Sequence, residues 1–83
     1  MNNRLFVGSL PYSVDNDGLR ELFAPFGNVQ DARVILDRVT NRSRGFGFVT
    51  FETDEEAAKA IEAMNGKDIG GRALTVNVGR PQE

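Results

Sequence analysis

Arg44-Gly45-Phe46-Gly47-Phe48-Val49-Thr50-Phe51 is the stretch from which the rest of the chain can be read. It places three phenylalanines and two glycines within eight residues. Phe, Val and Thr suit the pleated, half-buried setting of a strand. Successive side chains of a strand point to opposite faces, so Arg44, Phe46, Phe48 and Thr50 share one face. Gly45, Gly47, Val49 and Phe51 share the other. Val49 and Phe51 fit a core layer, and the two glycines beside them are expected to let a helix approach closely. The opposite face then carries two large aromatics between a cation and a hydroxyl.

Upstream, residues 37–43 form a polar connection in which Asn41 can take positive φ. Residues 29–36 before it are rich in Val and Ile and read as a strand. Val29 and Val34 are expected in the core with Ala32 between them. That spacing breaks strict alternation and implies a bulge, leaving Arg33 and Ile35 facing outward. Residues 4–10 read as a first strand, with Leu5 and Val7 in the core parity and Phe6 on the other face. Pro11-Tyr12-Ser13 opens a loop. The spacing of Leu19, Leu22, Phe23 and Phe26 predicts a helix over 15–26 with Asp15 as its N-cap. Gly18 in its first turn costs about 1 kcal/mol relative to Ala, and Pro25 and Gly27 end it.

Downstream, Thr53 and Glu56 have the spacing of a capping box. Ala57, Ala60, Ile61 and Met64 make the apolar stripe of a second helix, which Asn65-Gly66 stops. Ile69 is expected to tuck into the core before a turn at Gly70-Gly71. Leu74, Val76 and Val78 alternate with Thr75 and Asn77 in a last strand, and residues 79–83 form a tail. The element order is β-α-β-β-α-β, the split β-α-β arrangement. The fold class is therefore α+β: a ferredoxin-like sandwich with a four-stranded antiparallel sheet. Each helix has one apolar stripe, so both helices are expected on one face of the sheet. Phe6, Phe46 and Phe48 then gather on the face left open.

Eighty-three residues suit a single domain, residues 1–83. A chain this short buries about 60–70% of its unfolded surface. It contains no Cys and no His, which removes disulfides, the usual metal ligands and the commonest general base; neither cofactor nor metal is expected. No apolar run is long enough to cross a bilayer, and residues 1–4 lack the apolar segment of a secretory signal. A cytosolic location is the resulting expectation. The net charge is −2, which argues against a binder driven mainly by charge. Its distribution is uneven, however. Arg33, Arg38, Arg42 and Arg44 face only Asp37, while Glu52, Asp54, Glu55, Glu56 and Glu62 face only Lys59.

The octet at 44–51 resembles the longer ribonucleoprotein motif of the RNA-recognition-motif family at every position. Leu5-Phe6-Val7-Gly8-Ser9-Leu10 resembles the shorter motif that the family carries on its first strand. Ser9 departs from the Asn usual there, which implies a changed local hydrogen bond and an unchanged fold. The resemblance covers residues 4–79 and extends to the small RNA-binding proteins of bacteria and organelles. It implies a non-catalytic module with strands one and three at the sheet centre. The implied ligand is single-stranded RNA, with single-stranded DNA a weaker one, bound by a monomer and away from any membrane. Bases would stack on Phe6, Phe46 and Phe48, and Arg44 would meet a phosphate. Asn77, Arg80, Arg33 and Arg4 complete the expected binding set.

The chemistry of the residues points the same way. Aromatics grouped on an open face lose hydrophobic energy to water unless a partner covers them. A nucleobase does so for about 1–3 kcal/mol per base, whatever its identity. Duplex bases are already stacked on one another, so a single strand is preferred. Two rivals are weaker. A protein-binding relative would lose or cover the sheet aromatics. An acyl-phosphate hydrolase of similar fold would need a phosphate cradle, for which Gly45-Phe46-Gly47 is too short.

Overall fold

The computed structural model describes residues 3–79, apart from the side chains of Ser43 and Arg44. Chain order gives β1 (Arg4–Gly8), α1 (Asn16–Phe23), a 3₁₀ turn (Ala24–Phe26), β2 (Val29–Leu36), β3 (Ser43–Phe51) and α2 (Asp54–Met64). β4 (Asp68–Ile69), β5 (Arg72–Ala73) and β6 (Thr75–Val78) follow. The main sheet runs β2-β3-β1-β6 with every neighbouring pair antiparallel. β1 and β3 are thus central, as the family resemblance implied. The short β4–β5 hairpin, turning through Gly70 and Gly71 at positive φ, was expected only as a turn.

The parity read from β3 holds. Val49 and Phe51 are fully buried, together with Leu5 and Val7 from β1 and Val76 from β6. Leu19 and Phe23 from α1, and Ala57, Ala60 and Met64 from α2, close the same core. Both helices therefore lie on one face of the sheet. The bulge on β2 is present as a register shift between Val29 and Asp31, which lets Val29 pack against the core on the same side as Ala32 and Val34. Val78 shares the parity of Val76 but is 40% exposed, because it ends an edge strand.

The helix predicted over 15–26 is shorter in α form. It stops at Phe23 and tightens into the 3₁₀ turn, with Pro25 inside that turn and Gly27 after it. Asp15 caps its start, accepting from the Gly18 amide at 2.7 Å. The capping box of α2 is complete: Thr53 Oγ1 accepts from the Glu56 amide at 3.2 Å, and Glu56 Oε1 accepts from the Thr53 amide at 3.1 Å. Glu56 also reaches across to accept from the Asn28 amide at 3.0 Å. These amides donate to the charged form of the carboxylate, Asn28 foremost, and hold its pKa below the ordinary value. Gly27 makes room for this clasp, since a Cβ there would fall about 2.5 Å from Glu56 Cγ and Cδ.

Two asparagines seal the sheet edges, which would otherwise offer unpaired backbone groups. Asn16 Oδ1 accepts from the Val34 amide of β2 at 2.7 Å, and Asn65 Oδ1 accepts from the Val76 amide of β6 at 3.1 Å. Each fastens one helix terminus to one edge strand. The glycines of β3 have a different role from the one expected. A Cβ on Gly47 would collide with the Arg33 carbonyl, and Gly45 stands at φ 84°. Gly47 thus admits the neighbouring strand closely, and Gly45 takes a left-handed backbone within β3 where its pairing with β2 shifts register. Neither serves a helix.

Candidate nucleic-acid interface

β1 and β3 pair so that Phe6 lies opposite Phe48, and Gly8 opposite Phe46. This register gathers three rings. Ring centres are 5.7 Å apart for Phe6–Phe46, 5.9 Å for Phe6–Phe48 and 6.4 Å for Phe46–Phe48. The last two pairs meet edge to face, at 67° and 89°, a favourable geometry for aromatic quadrupoles. All three side chains are half-buried, unlike the core phenylalanines Phe23 and Phe51. Gly8 lets Phe6 lean along its strand, because a Cβ there would sit 3.0 Å from Phe6 Cε2.

Register extends this cluster into one rank across all four strands: Arg33 on β2, Phe48 on β3, Phe6 on β1 and Asn77 on β6. The next rank holds Asp31, Thr50 and Arg4. Four of the residues singled out from the sequence thus stand side by side, with Phe46 and Arg4 in adjoining ranks. Arg80 lies outside the described residues, as does the side chain of Arg44.

Two contacts on this face go beyond what was expected from the sequence. Arg4 does not simply project into solvent. Its Cζ lies 4.3 Å from the centre of the Phe48 ring, a cation–π contact worth about 0.5–1 kcal/mol at an exposed site. Arg33 is not an isolated cation either: its Nε stands 3.3 Å from Asp31 Oδ2. Asp31 was read only as part of a strand, yet the bulge turns it outward beside Arg33. Alternating parity counted from Ala32 was the available signal for it.

The loop carrying Arg38 and Arg42 is ordered by Asp37. Its Oδ1 accepts from the Val39 amide at 2.8 Å and from the Thr40 amide at 3.2 Å, and Asn41 takes φ 60°. Both arginines are exposed. At the end of β1, Ser9 stands at φ 59°. Asn tolerates that left-handed conformation better than Ser, so the departure at Ser9 bears on backbone strain as well as on hydrogen bonding.

The family model for the RNA recognition motif matches residues 5–75. The chain belongs to that family, and RNA binding without catalysis is the property that membership carries. It is 55% identical over 76 residues to glycine-rich RNA-binding protein 3, mitochondrial, of Arabidopsis thaliana, covering 92% of this chain and 25% of that one. It is 56% identical to the 28 kDa ribonucleoprotein, chloroplastic, of Spinacia oleracea, covering 95% of this chain and 34% of that one. Among solved structures, a Sxl-lethal protein–RNA complex superposes with a TM-score of 0.89 at 31% identity, covering 94% of this chain and 48% of that one. The chain therefore spans about a quarter to a third of the length of these two curated relatives.

These relatives correct the cytosolic expectation, since proteins more than half identical to this chain are named for the mitochondrion and the chloroplast. The expectation rested on the lack of an apolar export segment. Organellar targeting segments are amphipathic and Arg-rich rather than apolar, so that lack never bore on them.

Proposed function

We propose that residues 1–83 act as a single domain that binds single-stranded RNA, as a monomer, on the open sheet face. Bases stack on Phe6, Phe46 and Phe48. Arg44 meets a phosphate, while Arg4, Arg33, Asn77 and Arg80 line the strand's path. The observation that carries this reading is the three-ring cluster, half-exposed on the two central strands and kept apart from the core phenylalanines. A RNA complex among the similar structures supports it. Stacking ignores the sugar, so single-stranded DNA binds too, more weakly for want of contacts to the 2′-hydroxyl.

Arg4 gives the binding step a definite form. Its guanidinium occupies the face of Phe48 that a base would take. Binding exchanges this cation–π contact for a base, and the freed guanidinium becomes available to phosphate. Two or three stacked bases contribute roughly 3–9 kcal/mol before ordering is counted. Micromolar or weaker affinity follows. With about two to four phosphates neutralised, log affinity falls against log salt with a slope of roughly −1.5 to −3. Fluorescence anisotropy with one labelled strand, alone and annealed to its complement, is the test. Preference for the free strand is expected. Equal affinity for the duplex, or a slope steeper than about −5, would show that charge rather than stacking governs binding.

A further inference from the structure

We infer that Asp31 selects guanine at the base position beside Phe48, on the β2 side of the open face; the inference rests on the RNA-binding function proposed above. A shallow depression of about 410 Å³ lies there, lined by Arg4, Asp31, Arg33, Ile35, Phe48 and Thr50. The aromatic platform forms one wall. On the other, Arg33 Nε donates to Asp31 Oδ1 at 3.4 Å and lies 3.3 Å from Oδ2. The two side chains remain 74% and 54% exposed, so both have atoms left for a ligand. Strand register places Arg33 opposite Phe48 and Asp31 opposite Thr50. The carboxylate is thus one rank from the stacking ring, on the same face.

A carboxylate only accepts hydrogen bonds, and it accepts two at once. Guanine alone presents two adjacent donors on its Watson–Crick edge, N1–H and the N2 amino group, and that edge is open in a single strand. Its neighbouring O6 is an acceptor suited to the Arg33 guanidinium. Uracil presents one N–H between two carbonyl oxygens, which repel the carboxylate. Adenine and cytosine each present one amino group beside a ring nitrogen whose lone pair faces the same way. The carboxylate and guanidinium therefore form a complement to guanine, and they stand beside a ring that holds any base flat. Bidentate base contacts discriminate by roughly 5- to 150-fold, and exposure here places the effect toward the lower end.

The test uses a labelled oligouridylate and the same oligomer with one central guanosine or inosine. Inosine keeps N1–H and O6 but lacks the N2 amino group. The wild-type protein is expected to favour guanosine over uridine by about five- to tenfold, with inosine between. Asp31→Asn and Asp31→Ala should bring the ratio close to one and leave oligouridylate affinity unchanged or raised, since a negative charge leaves the phosphate-facing surface. Their melting temperatures should match wild type, as Asp31 is exposed. A wild type without guanosine preference, or a preference that survives both substitutions, overturns the inference while leaving the RNA-binding reading intact. A wild type that binds none of the oligomers overturns both.

Discussion

Phe48 and Phe51 are three positions apart on β3 and face opposite ways, so replacing each with alanine should separate binding from folding. Phe51 is fully buried and its ring centre lies 6.3 Å from that of Phe23. Phe51→Ala removes an aromatic ring from the middle of the core and leaves a cavity, at about 3–5 kcal/mol of folding free energy. Small domains have about 5–15 kcal/mol in total, so this one change consumes a large share. Phe48 is half-buried, and its neighbours are Phe6, Phe46 and the Arg4 guanidinium. Its loss should lower folding stability by only about 1 kcal/mol, from edge-to-face and cation–π contacts. On binding, the missing platform costs about 1–3 kcal/mol. Roughly 0.5–1 kcal/mol is recovered because Arg4 no longer has to be displaced. The net loss is about 0.5–2 kcal/mol, or roughly 2- to 30-fold in affinity. Thermal melts and RNA anisotropy on the same two proteins decide the matter. Any Phe51→Ala protein that remains folded should bind RNA like wild type. If Phe48→Ala unfolds the domain while Phe51→Ala melts normally and fails to bind, the strand parity is reversed and the binding face is misassigned.

Other outcomes follow from local geometry. Gly18→Ala should stabilise the fold by about 0.5 kcal/mol in urea denaturation: the helical gain approaches 1 kcal/mol, but the new Cβ sits 3.2 Å from the capping oxygen of Asp15. A loss of stability instead would mean that this cap cannot give way. Ser9→Asn should add about 0.5–1 kcal/mol by relieving the left-handed backbone at φ 59°; an unchanged urea midpoint would refute strain there. Glu56 has a depressed carboxyl pKa in the fold, chiefly through the Asn28 amide. Its contribution is therefore present above the unfolded carboxylate pKa and is lost as pH falls through the folded value. Glu56→Gln should flatten the acid limb of a stability–pH curve while leaving its shape near neutrality, and an unaltered acid limb would count against the clasp.

Much of this protein was legible because it depends on residues close together in sequence. Alternation along 44–51 separates Phe46 and Phe48 from Val49 and Phe51 whatever the rest of the chain does. The Thr53–Glu56 capping box and the Asp15 cap are likewise contained within a single turn. The spacing of Val29, Ala32 and Val34 announced the bulge, because no regular strand buries all three. Tertiary structure decided what depends on register. Gly47 is needed because the Arg33 carbonyl of β2 lies against it, a contact made by the pairing of β2 with β3 and by nothing near Gly47 in sequence. Asn16 and Asn65 look like ordinary helix-end residues until the sheet places the Val34 and Val76 amides before them, 18 and 11 positions away. Glu56 completes a local box, yet its reach to Asn28 spans 28 positions. The same holds on the open face. Side-chain type and parity assign Phe6, Phe48, Arg33 and Asn77 to one surface, but the pairing of four strands makes them neighbours in one rank. It is also what sets Arg4 over Phe48, since a shift of one residue in the β1–β3 pairing would send one of them to the opposite face, whereas Asp31 and Arg33, two apart on β2, share a face by alternation alone.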